Sequence, residues 1–126
     1  MPQTVLIVDD EQHIRLLIEQ TLEELLDEDV ELYTAADGDE ALAAIAAQRP
    51  DLVFLDVMMP VRSGLDVCRA VRADPDLAGA HIVLLTAKGQ AHDREEGLAA
   101  GANEYLTKPF DPDALLALAR GVLGLA

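Results

Sequence analysis

Leu52-Val53-Phe54-Leu55-Asp56 decides the fold. Four consecutive apolar residues closed by a single acid are too short for a helix, and they read as a strand buried on both faces that delivers one carboxylate to its tip. Val5-Leu6-Ile7-Val8 ends the same way in Asp9-Asp10. Ile82-Val83-Leu84-Leu85 ends in Thr86, and the short segment Glu104-Tyr105-Leu106-Thr107 runs into Lys108-Pro109. If these strands are parallel neighbours, three acids, a hydroxyl and an amine converge on one rim of the sheet, where open α/β folds bind their ligands.

Between the apolar runs the pattern changes to helical spacing. Ile14, Leu17, Ile18, Leu22, Leu25 and Leu26 recur at three- and four-residue intervals, marking one long helix with a buried face. Val30 to Ala35 forms a further strand, whose Glu31 and Thr34 suit a sheet edge. Asp37-Gly38 opens a second helix through Ala41, Leu42 and Ile45, which Arg49-Pro50-Asp51 stops. Ser63 caps a third helix with Asp66 three residues on. Gly89 to His92 is polar, and a fourth helix runs from about Asp93 to Ala100, closed by Gly101 and Asn103. Asp111 and Pro112 start the last helix. Repeated βαβ units without a dividing linker give one domain over residues 1–126, an α/β fold with a five-stranded parallel sheet flanked by five helices. The strand order 2-1-3-4-5 is expected by analogy with the flavodoxin-like, doubly wound class, since the residues by themselves leave the order open.

Composition narrows the function. The 126 residues are 51% hydrophobic with no Trp, so the core is aliphatic and no stacking platform for bases exists. A formal charge of −15 repels nucleic acid and anionic membranes, which argues against direct DNA binding by this chain. No apolar run approaches the roughly 20 residues of a membrane span, and no basic leader precedes the first strand. The chain reads as cytoplasmic. Cys68, the single cysteine, reads as a small buried side chain. His13, His81 and His92 lack metal-ligand spacing and read as ordinary surface or helix residues.

Acids crowded on one rim repel one another and call for a cation. Ligation by oxygen alone indicates a hard ion, and an open carboxylate site suits Mg2+, which completes its shell with water and phosphate oxygens. Asp9, Asp10 and Glu11 have a plainer reading as residues favouring the positive end of the first helix. Asp56 and Lys108 at matching strand ends weigh against it. Lys108 is one of only two lysines, a point charge suited to a phosphoryl oxygen or an aspartate. Thr86, followed by the small Ala87, offers a hydroxyl to the same rim.

Taken together, Val5 to Glu11, Leu55 to Pro60 with Ser63-Gly64, Leu85-Thr86-Ala87, and Tyr105 to Phe110 resemble the successive motifs of response-regulator receiver domains, in order and over essentially the whole chain. The resemblance implies that Asp56 accepts a phosphoryl group from a phosphohistidine of a sensor histidine kinase or histidine phosphotransfer protein. It implies Mg2+ held by Asp10, Asp56 and the backbone carbonyl of Met58, with Asp9 acting through water. Thr86 and Lys108 would contact the phosphoryl group. Tyr105 would turn inward on phosphorylation and reshape the face of the fourth helix, fifth strand and fifth helix. That face would meet a downstream protein target or effector domain, the chain being a monomer or a phosphorylation-dependent dimer. A cis Lys108-Pro109 bond is also implied. Such a protein is a switch in a phosphorelay and not an enzyme beyond its own phosphorylation and dephosphorylation. With no effector segment after Ala126, it reads as a stand-alone regulator or a receiver separated from a longer protein.

Arg62 stands where many relatives are apolar, which touches partner contacts and leaves the chemistry alone. Met58 and Lys88, two residues beyond Asp56 and Thr86, flank the path of a hydrolysing water. Three rivals remain. An aspartate-nucleophile phosphatase of the haloacid dehalogenase type also joins Asp, Thr, Lys and Mg2+, but wants an acid where Met58 stands. A receiver-like scaffold that is never phosphorylated does not need the full acid, Thr and Lys set. A flavin protein of the same topology needs a Ser/Thr/Gly-rich loop in place of Asp9-Asp10-Glu11.

Overall fold

The computed structural model describes residues 2–87 and 91–125, without the side chains of residues 91–94. Lys88, the Gly89-Gln90 stretch and the side chain of His92 lie outside the described residues. The chain runs β1 (Gln3–Val8), α1 (Gln12–Thr21), a 3-10 segment (Glu23–Glu28), β2 (Val30–Ala35), α2 (Gly38–Gln48), β3 (Leu52–Asp56), α3 (Gly64–Ala73), β4 (His81–Ala87), α4 (Ala91–Ala100), β5 (Glu104–Lys108) and α5 (Pro112–Leu123).

All strand pairs are parallel, in the order β2-β1-β3-β4-β5. Alternation along each central strand explains the unbroken apolar runs. Leu6, Val8, Val53, Leu55, Ile82 and Leu84 point to one face, where Ala41 and Ile45 of α2 and Val67, Cys68 and Val71 of α3 cover them. Val5, Ile7, Leu52, Phe54, Val83 and Leu85 point to the other, under Ile18 of α1 and Leu115 and Ala119 of α5. Each residue of β3 is therefore buried, and Cys68 with them.

The caps follow the sequence closely. Asp37, Ser63 and Asp111 each accept a backbone N–H with the side chain, from Glu40, Asp66 and Asp113 respectively, and Pro112 occupies the first turn of α5. Three expectations need correction. The first helix stops at Thr21, and Leu22, Leu25 and Leu26 belong to the 3-10 segment or its approach; the apolar spacing continues because Leu22 and Leu25 still face the same core. That segment is tied to α5 by Arg120, which bridges Glu24 and Glu28. Helix α4 begins at Ala91, not Asp93. His81 is neither a surface nor a helical residue: it opens β4, half-buried, with Nε2 2.6 Å from Glu104 Oε2.

Candidate functional site

Register alone gathers the rim. Val8 pairs with Leu55, so the next residues, Asp9 and Asp56, emerge side by side, and Ala87 pairs with Lys108 two strands away. Asp9 is fully buried and Asp56 is 4% exposed, whereas Asp10 lies in solvent. Carboxylate oxygens of Asp9, Asp10 and Asp56 all lie within 4.8 Å of one another. An oxygen-only donor set with one open side fits a hard divalent cation that keeps waters.

Lys108 closes the cluster, with Nζ 2.7 Å from Asp9 Oδ2 and 3.4 Å from Asp56 Oδ1. Burial alone would lower the lysine, but the hydrogen bond to Asp9 and the charge of Asp56 outweigh it and hold it raised and charged. Asp56 is less well served. Burial first, then the adjacent charge of Asp9, push its carboxyl up to about 7, against the opposing pull of Lys108 and the Met58 N–H, which donates to Oδ1 at 3.3 Å. A carboxylate starved of positive charge at the end of a buried strand is a group prepared for a cation.

Asp9 is held from all sides. Its N–H donates to Ala35 O, Oδ1 accepts from Glu11 N at 2.9 Å, and its carbonyl accepts from Arg15 Nη1 at 2.6 Å. Glu11 is the N-cap of α1 and makes no side-chain cap bond. Thr86 is 4% exposed, with Oγ1 3.5 Å from Leu106 O. Tyr105 is half-buried on β5, and Lys108-Pro109 is cis.

Sequence reasoning missed Arg15, and passed over why Gly64 follows Ser63. A Cβ on Gly64 would sit 2.2 Å from the Asp56 carbonyl, so only glycine lets the start of α3 pack against the tip of β3. Val61, in the loop between, has φ 70 although β-branched, a conformation that costs roughly 1–2 kcal/mol. Arg62 leans away from the acids to Asp39, 2.8 Å distant. A surface depression of about 450 Å³ lined by Leu16, Glu19, Gln20, Glu23, Leu26 and Leu32 contains no residue of the cluster.

The profile of the response regulator receiver domain matches residues 5–120. The chain belongs to the response-regulator receiver family. It is similar to the probable transcriptional regulator ycf27 of Cyanophora paradoxa, 44% identical over 119 residues that make up 94% of this chain and 47% of the relative. Among solved structures, a putative response regulator from Chloroflexus aurantiacus superposes with TM-score 0.89 at 36% identity, over 98% of this chain and 99% of that one. The chemotaxis response regulator CheY4 of Vibrio cholerae gives 0.85 at 38%, over 97% and 99%. The chain spans about half the length of the curated relatives it matches. A receiver domain is a signalling module of two-component systems, and the match over most of the chain sets aside the dehalogenase-type and flavin-binding alternatives. No helix among the described residues is long and apolar enough to cross a membrane.

Proposed function

We propose that residues 1–126 form one receiver domain that takes a phosphoryl group onto Asp56 from a phosphohistidine of a sensor kinase or phosphotransfer protein. The observation that carries this is Asp56 itself, buried at a strand end between two acids and 3.4 Å from the Lys108 ammonium. An Asp56 carboxylate oxygen forms the new O–P bond as the P–N bond to the histidine breaks, and the imidazole leaves. Phosphoryl transfer asks chiefly for alignment and for neutralised oxygens. Lys108 supplies one positive charge to an equatorial oxygen, and the Thr86 hydroxyl turns from Leu106 to donate to another.

Asp10, Asp56 and the Met58 carbonyl would hold Mg2+, with Asp9 reaching it through water. Bound there, the ion would supply positive charge to the buried Asp56 carboxylate and would neutralise phosphoryl oxygens. Tyr105 then packs inward and the α4-β5-α5 face changes what it binds, whether a separate protein, an effector segment or a second copy. A cytoplasmic location fits such a partner set. The domain's chemistry is confined to gaining and losing its own phosphoryl group.

Incubation with Mg2+ and a small phosphodonor, followed by intact-mass measurement, tests the assignment. Wild type gains one labile phosphoryl mass and Asp56→Asn gains none. A gain of equal size in Asp56→Asn would overturn it.

A further inference from the structure

Arg15 is the one cation besides Lys108 that the described residues bring to the acidic turn by hydrogen bonding, and its partner is a backbone atom. Its Nη1 donates to the carbonyl of Asp9 at 2.6 Å, a charge-assisted bond from the second turn of α1 back across the β1–α1 connection. That carbonyl belongs to the peptide linking Asp9 to Asp10. Fixing its plane fixes where the Asp10 N and Cα sit and so narrows the directions its side chain can take. Asp9 has further anchors in Ala35 O, Glu11 N and Lys108 Nζ. Asp10 is the exposed acid of the three, and the bond from Arg15 falls on the peptide that carries it.

We infer that Arg15 is a positioning residue for the cation site, holding the Asp9–Asp10 peptide so that Asp10 presents its carboxylate towards Asp56. This rests on the reading of the acid cluster as a Mg2+ site. Arg15 bonds a backbone carbonyl and would act through it, not as a ligand of the cation or of the phosphoryl group.

The test is Mg2+ titration of the whole chain by calorimetry and amide NMR, comparing wild type with Arg15→Gln. Groups that orient metal ligands from behind are worth about tenfold or more in affinity, so the dissociation constant should rise by about tenfold in Arg15→Gln. The Mg2+-induced rise in melting temperature should shrink in step. A role confined to folding would instead lower melting equally with and without Mg2+ and leave the affinity within about twofold of wild type, which would overturn the inference. Should Arg15→Gln fail to fold, Arg15→Lys serves. Its ammonium ends about one bond short of the guanidinium nitrogens and cannot present a planar fork, so it meets the carbonyl less well; affinity should fall severalfold, and an unchanged affinity would again overturn it. A wild type that binds no Mg2+ and gains no phosphoryl mass defeats the reading of the site itself. A wild type that does both while Arg15→Gln matches it defeats only the role of Arg15.

Discussion

The two ends of the same parallel sheet handle polar groups in opposite ways. At the amino ends, partners match. Asp51 Oδ2 accepts the Thr4 N–H, Asn103 Oδ1 accepts the Ile82 N–H and Arg72 Nη2, and His81 meets Glu104. Arg72 of α3 also donates to the carbonyls of Gly101, Ala78 and Ala80, stapling the α3–β4 and α4–β5 connections. At the carboxyl ends three acids gather, Lys108 pairs with only two of them, Asp9 and Asp56, and the Asp56 carboxyl is pushed up to about 7. One end holds the fold together, and the other stores a charge imbalance that a cation and a phosphoryl group can relieve.

Removing the staple should produce the largest loss. Arg72→Ala leaves several carbonyls without their charged donor and should cost about 3 kcal/mol in urea denaturation. Mg2+ binding by the folded variant should match wild type. A change in Mg2+ affinity as large as the loss of stability would mean that the two ends are not independent.

Asp56→Asn should act in the other direction. In the folded chain the Asp56 carboxyl is raised from 3.8 to about 7, so the fold favours the protonated form. That preference is fully present below pH 3.8, and it is lost as pH rises through 7, where ionised Asp56 weighs against folding. Without Mg2+, Asp56→Asn should therefore be more stable than wild type at pH 8, by on the order of 2 kcal/mol, with the gain gone below about pH 4. Melting curves across that range check the sign. A variant less stable than wild type at pH 8 would show that the acids do not burden the fold.

A smaller, kinetic effect belongs to the mouth of the site. Met58 is 64% exposed beside Asp56 and offers no polar atom to a hydrolysing water. Met58→Asn should shorten the lifetime of the phosphorylated form severalfold, timed after removal of the phosphodonor. An Asn variant no faster than wild type would place control of the lifetime elsewhere.

How much of this was legible in the sequence differs between the same two ends. The strands, the helix starts at Asp37, Ser63 and Asp111, and the placing of Asp9, Asp10, Asp56, Thr86 and Lys108 at strand ends follow from short-range patterns, whereas the strand order comes by analogy with the fold class. The amino-end staple was not legible, because Arg72 acts through backbone carbonyls, which every sequence supplies and none marks. The same holds for Arg15. Leu22 and Leu25 misled because a 3-10 turn can keep apolar residues on the face a longer helix would have used, whereas Leu26 is exposed. Val61 at positive φ was invisible for the opposite reason, as a β-branched residue is among the last that sequence would place there.

The most direct test of the central claim is to locate the modification. After phosphorylation with Mg2+ and a small donor, borohydride reduction converts an aspartyl phosphate to homoserine, and peptide mass spectrometry reads its position. The account predicts homoserine at position 56 and nowhere else. Homoserine at position 9 or 10 would contradict it.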